Sequence, residues 1–205
     1  MATIADDIAN NTTSSLFFSL AFLYQTKGAI QNAVKKIKKD NKIFSYGISD
    51  HKVKGIEDAA GIDVQKPDGI VSVIHAAALS NNAPEPFKSE PTGGSGTRLH
   101  HKFVVIDFNQ PSARVYMASY NFSGAADTSN GENLLLIRDR RIAVSYAIEA
   151  VRLFDHYEFR VVQTEAKKAR KTLQLHGPPR KPGEKAWWAE DYTNARKIRD
   201  RELFA

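Results

Sequence analysis

The sequence predicts an α/β protein in which a mixed β-sheet is flanked by helices on both faces, followed by a basic C-terminal extension. Three observations carry this. Strand-like and helix-like segments alternate near the start with short connections, two apolar runs divided by a turn follow residue 102, and a stretch of helical period ends the apolar part of the chain. At 205 residues, with 42% hydrophobic and 25% charged, the chain can bury a core without metal or disulfide staples. It holds no cysteine, which excludes a disulfide framework, a thiolate nucleophile and Cys-ligated zinc or iron–sulfur chemistry.

Thr12 to Tyr24 (TTSSLFFSLAFLY) is rich in β-branched and aromatic residues, as expected of a strand buried on both faces. Gly28 to Lys39 (GAIQNAVKKIKK) spaces Ile30, Val34 and Ile37 by four and three with lysines opposite, the pattern of an amphipathic helix. Ile43 to Ile48 returns to strand character, so the three segments form a βαβ unit. A short strand is expected at Val71 to Ile74, and Asn81 to Gly96, with its prolines and glycines, is expected to be a long loop, functional or mobile rather than merely connecting. Phe103 to Ile106 and Arg114 to Met117, separated by FNQPSA, predict a hairpin of core strands. Leu134 to Ile137 predicts one more strand, and Ala143 to Phe159 a helix. From Gln163 the composition turns to KKARK and then GPPRKPG, so a domain over residues 1–163 and an extension over 164–205 are expected.

The charge is uneven. Net charge is +6, yet residues 1–164 hold 18 Lys/Arg against 17 Asp/Glu, while 165–205 hold 11 against 6. Such a tail suits a polyanion, though a solvated surface is the commoner meaning of a charge run. The apolar run Leu16 to Tyr24 is far shorter than the roughly 20 residues of a bilayer-spanning helix. Residues 1–15 carry Asp6 and Asp7 and no Lys or Arg, so no secretory leader is expected there, and the compartment stays open.

The segment that carries chemistry is Leu99 to Asp107 (LHHKFVVID), where His100, Lys102 and Asp107 form H-x-K-x4-D. Residues two apart on a strand share a face, so His100 and Lys102 project together. Such a pair suits a phosphate: lysine supplies charge to the phosphoryl oxygens, and histidine serves as a nucleophile or an acid near neutral pH. Ala118 to Asn133 (ASYNFSGAADTSNGEN) then supplies Ser119 and Asn121 as uncharged donors, with Glu132 and Asn133 beyond them. A carboxylate such as Glu132 suits the Nδ1–H of a histidine, fixing its tautomer.

Together, H-x-K-x4-D, A-S-Y-N-F-S and G-E-N resemble the phospholipase D superfamily, and within it the small single-motif bacterial endonucleases. The resemblance implies a phospholipase D-like fold and a phosphodiester hydrolase with His100 as nucleophile of a phosphohistidine intermediate. Lys102 and Asn121 would bind the phosphate oxygens with Ser119 beside them, and Glu132 would orient His100. Asp107, five residues along a strand from Lys102, is expected to be structural. No cofactor or metal is implied, and no cluster of carboxylates or histidines stands at ligand spacing. The family usually has glycine where this chain has Ala118, and it uses two copies of the motif where this chain has one. A homodimer, or a second motif-bearing half of a longer protein, would supply the missing copy. The implied substrate is nucleic acid, DNA first, cleaved without sequence specificity since no base-reading motif is present. The alternatives are a phospholipase or phosphatidyl transferase acting on lipid head groups and a non-catalytic binding half.

The remaining histidines lack motif partners: His101 faces the other side of its strand, and His51, His75, His156 and His176 are incidental. Lysines 35, 36, 38 and 39 form the solvated face of their helix. Trp187 and Trp188, with Tyr192 and Phe204, are expected to anchor the tail on apolar surface, the alternative being stacking on unpaired bases.

Overall fold

The computed structural model describes residues 1–40, 42–50, 53, 56, 62–65, 71–74, 99–170 and 177–205. The chain divides into two compact units, Met1–Val161 and Val162–Ala205. The first unit opens with helix α1 (Ala2–Asn11), which the sequence did not suggest and which buries Ile4, Ala5 and Ile8 on a single stripe. Strand β1 (Ser15–Leu20) follows, buried at every residue. It is shorter than the Thr12–Tyr24 run predicted: the residues before it are drawn to a carboxylate, and residues 21–25 turn.

Helix α2 (Ala29–Lys38) starts after Gly28, whose φ of 127° few other residues tolerate, and ends in Lys35, Lys36 and Lys38, which suit a helix C-terminus. Strand β2 (Phe44–Ile48) lies parallel to β1, completing the βαβ unit. Gly47 faces Phe18 across this pair, and the Phe18 ring fills the space a Cβ would take. Strands β3 (Ile62–Gln65) and β4 (Val71–Ile74) form a separate antiparallel pair, β3 being unforeseen. The loop expected at Asn81 to Gly96 lies outside the described residues.

Strands β5 (Lys102–Ile106) and β6 (Arg114–Met117) are the predicted hairpin. Beyond them come the short helix α3 (Gly124–Thr128) and strand β7 (Leu135–Ile137). The five-stranded sheet has the order β2-β1-β5-β6-β7 and is antiparallel throughout except at β1 and β2. Helix α4 (Arg140–Lys168) runs well past Phe159, the end its periodicity suggested. Its start is set by Asp139, whose Oδ1 accepts the Arg141 and Ile142 amides at 2.8 and 3.3 Å.

Both sheet faces are covered. Leu16, Phe18 and Leu20 of β1 join Val104 and Ile106 in a core with α1 and α2. On the other face Phe17 meets Phe44 and Phe108 at ring separations of 5.5 and 5.4 Å, while Phe154 and Tyr146 of α4 pack on Tyr46 and Phe103 at 4.3 and 5.1 Å. Among the described residues no helix is long and apolar enough to cross a membrane.

Two carboxylates, one buried and one partly exposed, tie this architecture together. Asp107 is fully buried and accepts the backbone amides of Thr13, Ser14 and Ser15 at 2.9, 2.8 and 3.2 Å, plus the hydroxyls of Thr13 and Ser14. Asp7 of α1 takes Arg114 Nε and Nη2 at 2.7 and 2.8 Å and the Tyr116 hydroxyl at 2.7 Å, clamping the helix to β6. Burial works to raise the Asp7 carboxyl, but hydrogen bonds from Arg114, Tyr116 and Asn11 hold it below the usual carboxylate range. Burial and Asp7 push the Tyr116 hydroxyl up to about 12.

Asp107→Ala would leave three amides and two hydroxyls without their acceptor, so a loss of about 3 kcal/mol in urea unfolding is expected. Asp7 has a folded pKa below its unfolded one; its stabilisation is whole above the ordinary carboxylate value of about 3.9 and lost as pH falls through the folded value. The stability gap between wild type and Asp7→Asn is therefore expected to be full at pH 6 and to shrink as pH drops below about 4, measured by urea midpoints across that range.

Candidate functional site

The site grows at the end of the sheet where β1 and β2 finish and β5 begins. Three hydrogen bonds lace these ends: Ala21 N donates to His101 O at 3.0 Å, Asp50 N to Ala21 O at 3.2 Å, and Leu99 N to the buried Asp50 carboxylate at 2.8 Å. The backbone entering His100 is thus fixed one residue ahead, by a carboxylate that the sequence had not singled out. Asp107 lies at the far end of β5, roughly 15 Å along a strand from Lys102, beside the start of β1.

His100 and Lys102 project on one side as the strand period requires. Lys102 Nζ stands 3.0 Å from His100 Nε2 and donates to His100 O at 3.0 Å. An ammonium has three protons and no lone pair, so at this contact the lysine donates and Nε2 is the acceptor. Burial pushes the Lys102 ammonium down, and the Glu132 carboxylate works against that shift. Phe22, in the turn after β1, stands edge-on to the imidazole with ring centroids 5.6 Å apart and has Lys102 Nζ 5.6 Å from its centroid. His101 turns the other way and packs edge-on to Phe103.

The segment after β6 alternates polar and aromatic residues. Tyr120 and Phe122 sink into the core, 5% and 1% exposed, with their rings 5.3 Å apart. Ser119 and Asn121, two residues apart, stay on the other side. Asn121 N and Nδ2 both donate to Glu132, each at 2.6 Å, and Asn130 Nδ2 reaches the same carboxylate at 3.1 Å. Desolvation works to raise the Glu132 carboxyl; hydrogen bonds from Asn130 and Asn121 and the charge of Lys102 bring it below the usual range. Ser119 N and Oγ donate to Asn133 Oδ1 at 3.0 and 3.1 Å, and Asn133 N returns a bond to Ser119 Oγ at 3.1 Å.

A hydrogen bond thus joins His100 to Lys102 and paired hydrogen bonds join Glu132 to Asn121, while the charge of Glu132 favours the ammonium of Lys102. Two details differ from expectation. Glu132 was expected behind His100, but its oxygens meet Asn121 and Asn130, so it orients the carboxamide rather than the imidazole. The Ser119 hydroxyl proton is directed to Asn133, which braces the ends of β6 and β7. Among the described residues one Nδ2 proton of Asn121 remains for another acceptor, and its Oδ1 is buried without a partner.

Phe22 and Asp50 are the residues that sequence reasoning missed. Both reach the site through strand pairing, for which a single chain carries no local signal. Ala118 adopts φ 155°, a backbone region suited to glycine, at the position where the resemblance calls for glycine.

No family model matches the chain. A segment of 47 residues, 23% of the chain, is 43% identical to proteins named phospholipase D from Rickettsia felis and Rickettsia prowazekii, and 40% identical to one from Rickettsia conorii. The match spans only about a fifth of each relative, 22%, 21% and 22% of their lengths. This similarity points to the phospholipase D superfamily in general.

Ala118→Gly is expected to relieve the backbone at the head of the site and raise stability by about 1 kcal/mol, read from the urea midpoint. A destabilised variant would show that the alanine is unstrained.

Proposed function

We propose that this chain hydrolyses phosphodiesters through a phosphohistidine on His100, with nucleic acid as the substrate. The observation that carries the reading is the contact between Lys102 Nζ and His100 Nε2, which sets an imidazole nitrogen beside a cation. A phosphoryl group entering here offers its oxygens to the ammonium and its phosphorus to the lone pair of Nε2. The N–P bond forms as the bond to the leaving oxygen breaks, and water then attacks phosphorus to release the second product and restore the ring. Lys102 and the free Nδ2 proton of Asn121 hold the phosphoryl oxygens as charge builds on them. Glu132 keeps the Asn121 carboxamide turned correctly, and Ser119 supports the same wall through Asn133.

The leaving oxygen needs a proton, and in this reading a second His100, from another copy or from a second motif-bearing half, donates it. The basic tail favours nucleic acid over small diesters. One observation favours a second reading: the matched relatives carry the name phospholipase D, so a lipid head group is the competing substrate.

Plasmid nicking with EDTA present tests the proposal. Cleavage is expected from wild type, reduced at least about a thousandfold in His100→Ala, with dimers seen by light scattering at the working concentration. Choline release from phosphatidylcholine without nicking would move the substrate to lipids. Neither activity would leave a binding half without turnover.

A further inference from the structure

The second compact unit, Val162–Ala205, holds 11 Lys/Arg against 6 Asp/Glu and both tryptophans of the chain. The sequence suggested that its aromatic residues anchor the tail, but the rings are not sunk in apolar surface: Trp187, Tyr192 and Phe204 are 57%, 64% and 50% exposed. They are nonetheless well placed. Trp187 stands edge-on to Trp188 at 5.3 Å, which fixes its plane. Tyr192 ends a 3-10 turn (Ala189–Tyr192), and Arg201 of helix α5 (Ala195–Leu203) lies over its ring at 4.3 Å, held there by a bond to Asp191 O. Asn194 caps α5, accepting the Arg196 and Lys197 amides at 3.0 and 3.3 Å.

Two groups of cations differ in their pairing. Lys197 and Arg199 are paired with Asp191 and Asp200. Arg180, Lys181 and Lys185, which lead into Trp187, are exposed and have no ion pair among the described residues. Exposed rings of fixed orientation next to uncommitted cations match unpaired bases joined by phosphates, because every base offers a π face and every linkage a charge.

We propose that this unit binds single-stranded nucleic acid, with bases stacking on Trp187 and Tyr192 and phosphates held by Arg180, Lys181 and Lys185. A membrane surface fits less well. Helix α5 buries no residue and has no continuous apolar face, and Glu190, Asp191 and Glu202 would be carried toward the head groups together with the rings. The site shares no residue with the proposed catalytic one and can be tested without turnover.

The test uses the full chain carrying His100→Ala, titrated with labelled oligo-dT and oligo-rU of 20 nucleotides and with phosphatidylserine vesicles. Both oligonucleotides are expected to bind and to quench tryptophan fluorescence, a signal that only this unit supplies. Replacing both rings, Trp187→Ala with Tyr192→Ala, is expected to weaken binding at least about tenfold. The triple change Arg180→Gln, Lys181→Gln, Lys185→Gln is expected to lower the salt slope by about 2. Equal affinity for the two strands would mean recognition through the shared base face and phosphate, and a preference would trace to the sugar or the thymine methyl group. The proposal is overturned if tryptophan fluorescence is unchanged by either oligonucleotide, if vesicles alone bind, or if the ring variant loses thermal stability while keeping its affinity.

Discussion

The antiparallel pairing of β1 with β5 is the constraint on which the rest of the molecule depends. Its register sets Leu16 opposite Ile106 and Leu20 opposite Lys102, and both ends of that ladder have consequences. At one end the chain leaving β5 places Asp107 where three successive amides before β1 converge on its carboxylate. At the other, the turn leaving β1 carries Phe22 to the imidazole and ammonium that precede and open β5. A slip of one residue would turn every side chain of β5 to the opposite face and lose both arrangements together. Stability and the candidate chemistry thus share one ladder, divided between its two ends.

The wall of the site across from β5 is made by a different device. Alternation in Ser119–Tyr120–Asn121–Phe122 anchors two aromatic rings below while two polar groups stay above. The Tyr120 hydroxyl is tied to Asp127 at 2.8 Å, and Ser123 caps the short helix that follows. The loop is therefore held by its buried half, and its exposed half is fixed by core packing together with the bonds of Asn121 to Glu132 and of Ser119 to Asn133. Glu132 completes the arrangement by gathering three donors onto one carboxylate.

Much of the fold was legible because its periods are strong. Arg114–Met117 was set off from the strand before it by the turn residues FNQPSA, and Ile30, Val34 and Ile37 announced α2. Helix α1 was not legible, since three buried residues in ten are too few for a period to stand out, and its hold on the sheet comes from Asp7 meeting Arg114 far along the chain. Helix α3 spans five residues and rests on a serine cap. At the site, His100, Lys102, Asn121 and Glu132 were visible as residue types at telling spacings. The partner of Glu132 was not, because a carboxylate at that position could meet an imidazole or a carboxamide, and only the folded loop decides between them.

The lysine resting on the histidine lone pair amounts to a safety catch. While the ammonium is engaged there, an uncharged electrophile drifting into the site has nothing with which to draw it aside. Only an anion competes for the proton donor, and doing so uncovers the nitrogen at the moment a suitable target is in reach. In the proposed reading, preference for charged targets is set at this one contact, before any recognition of what the phosphate is attached to.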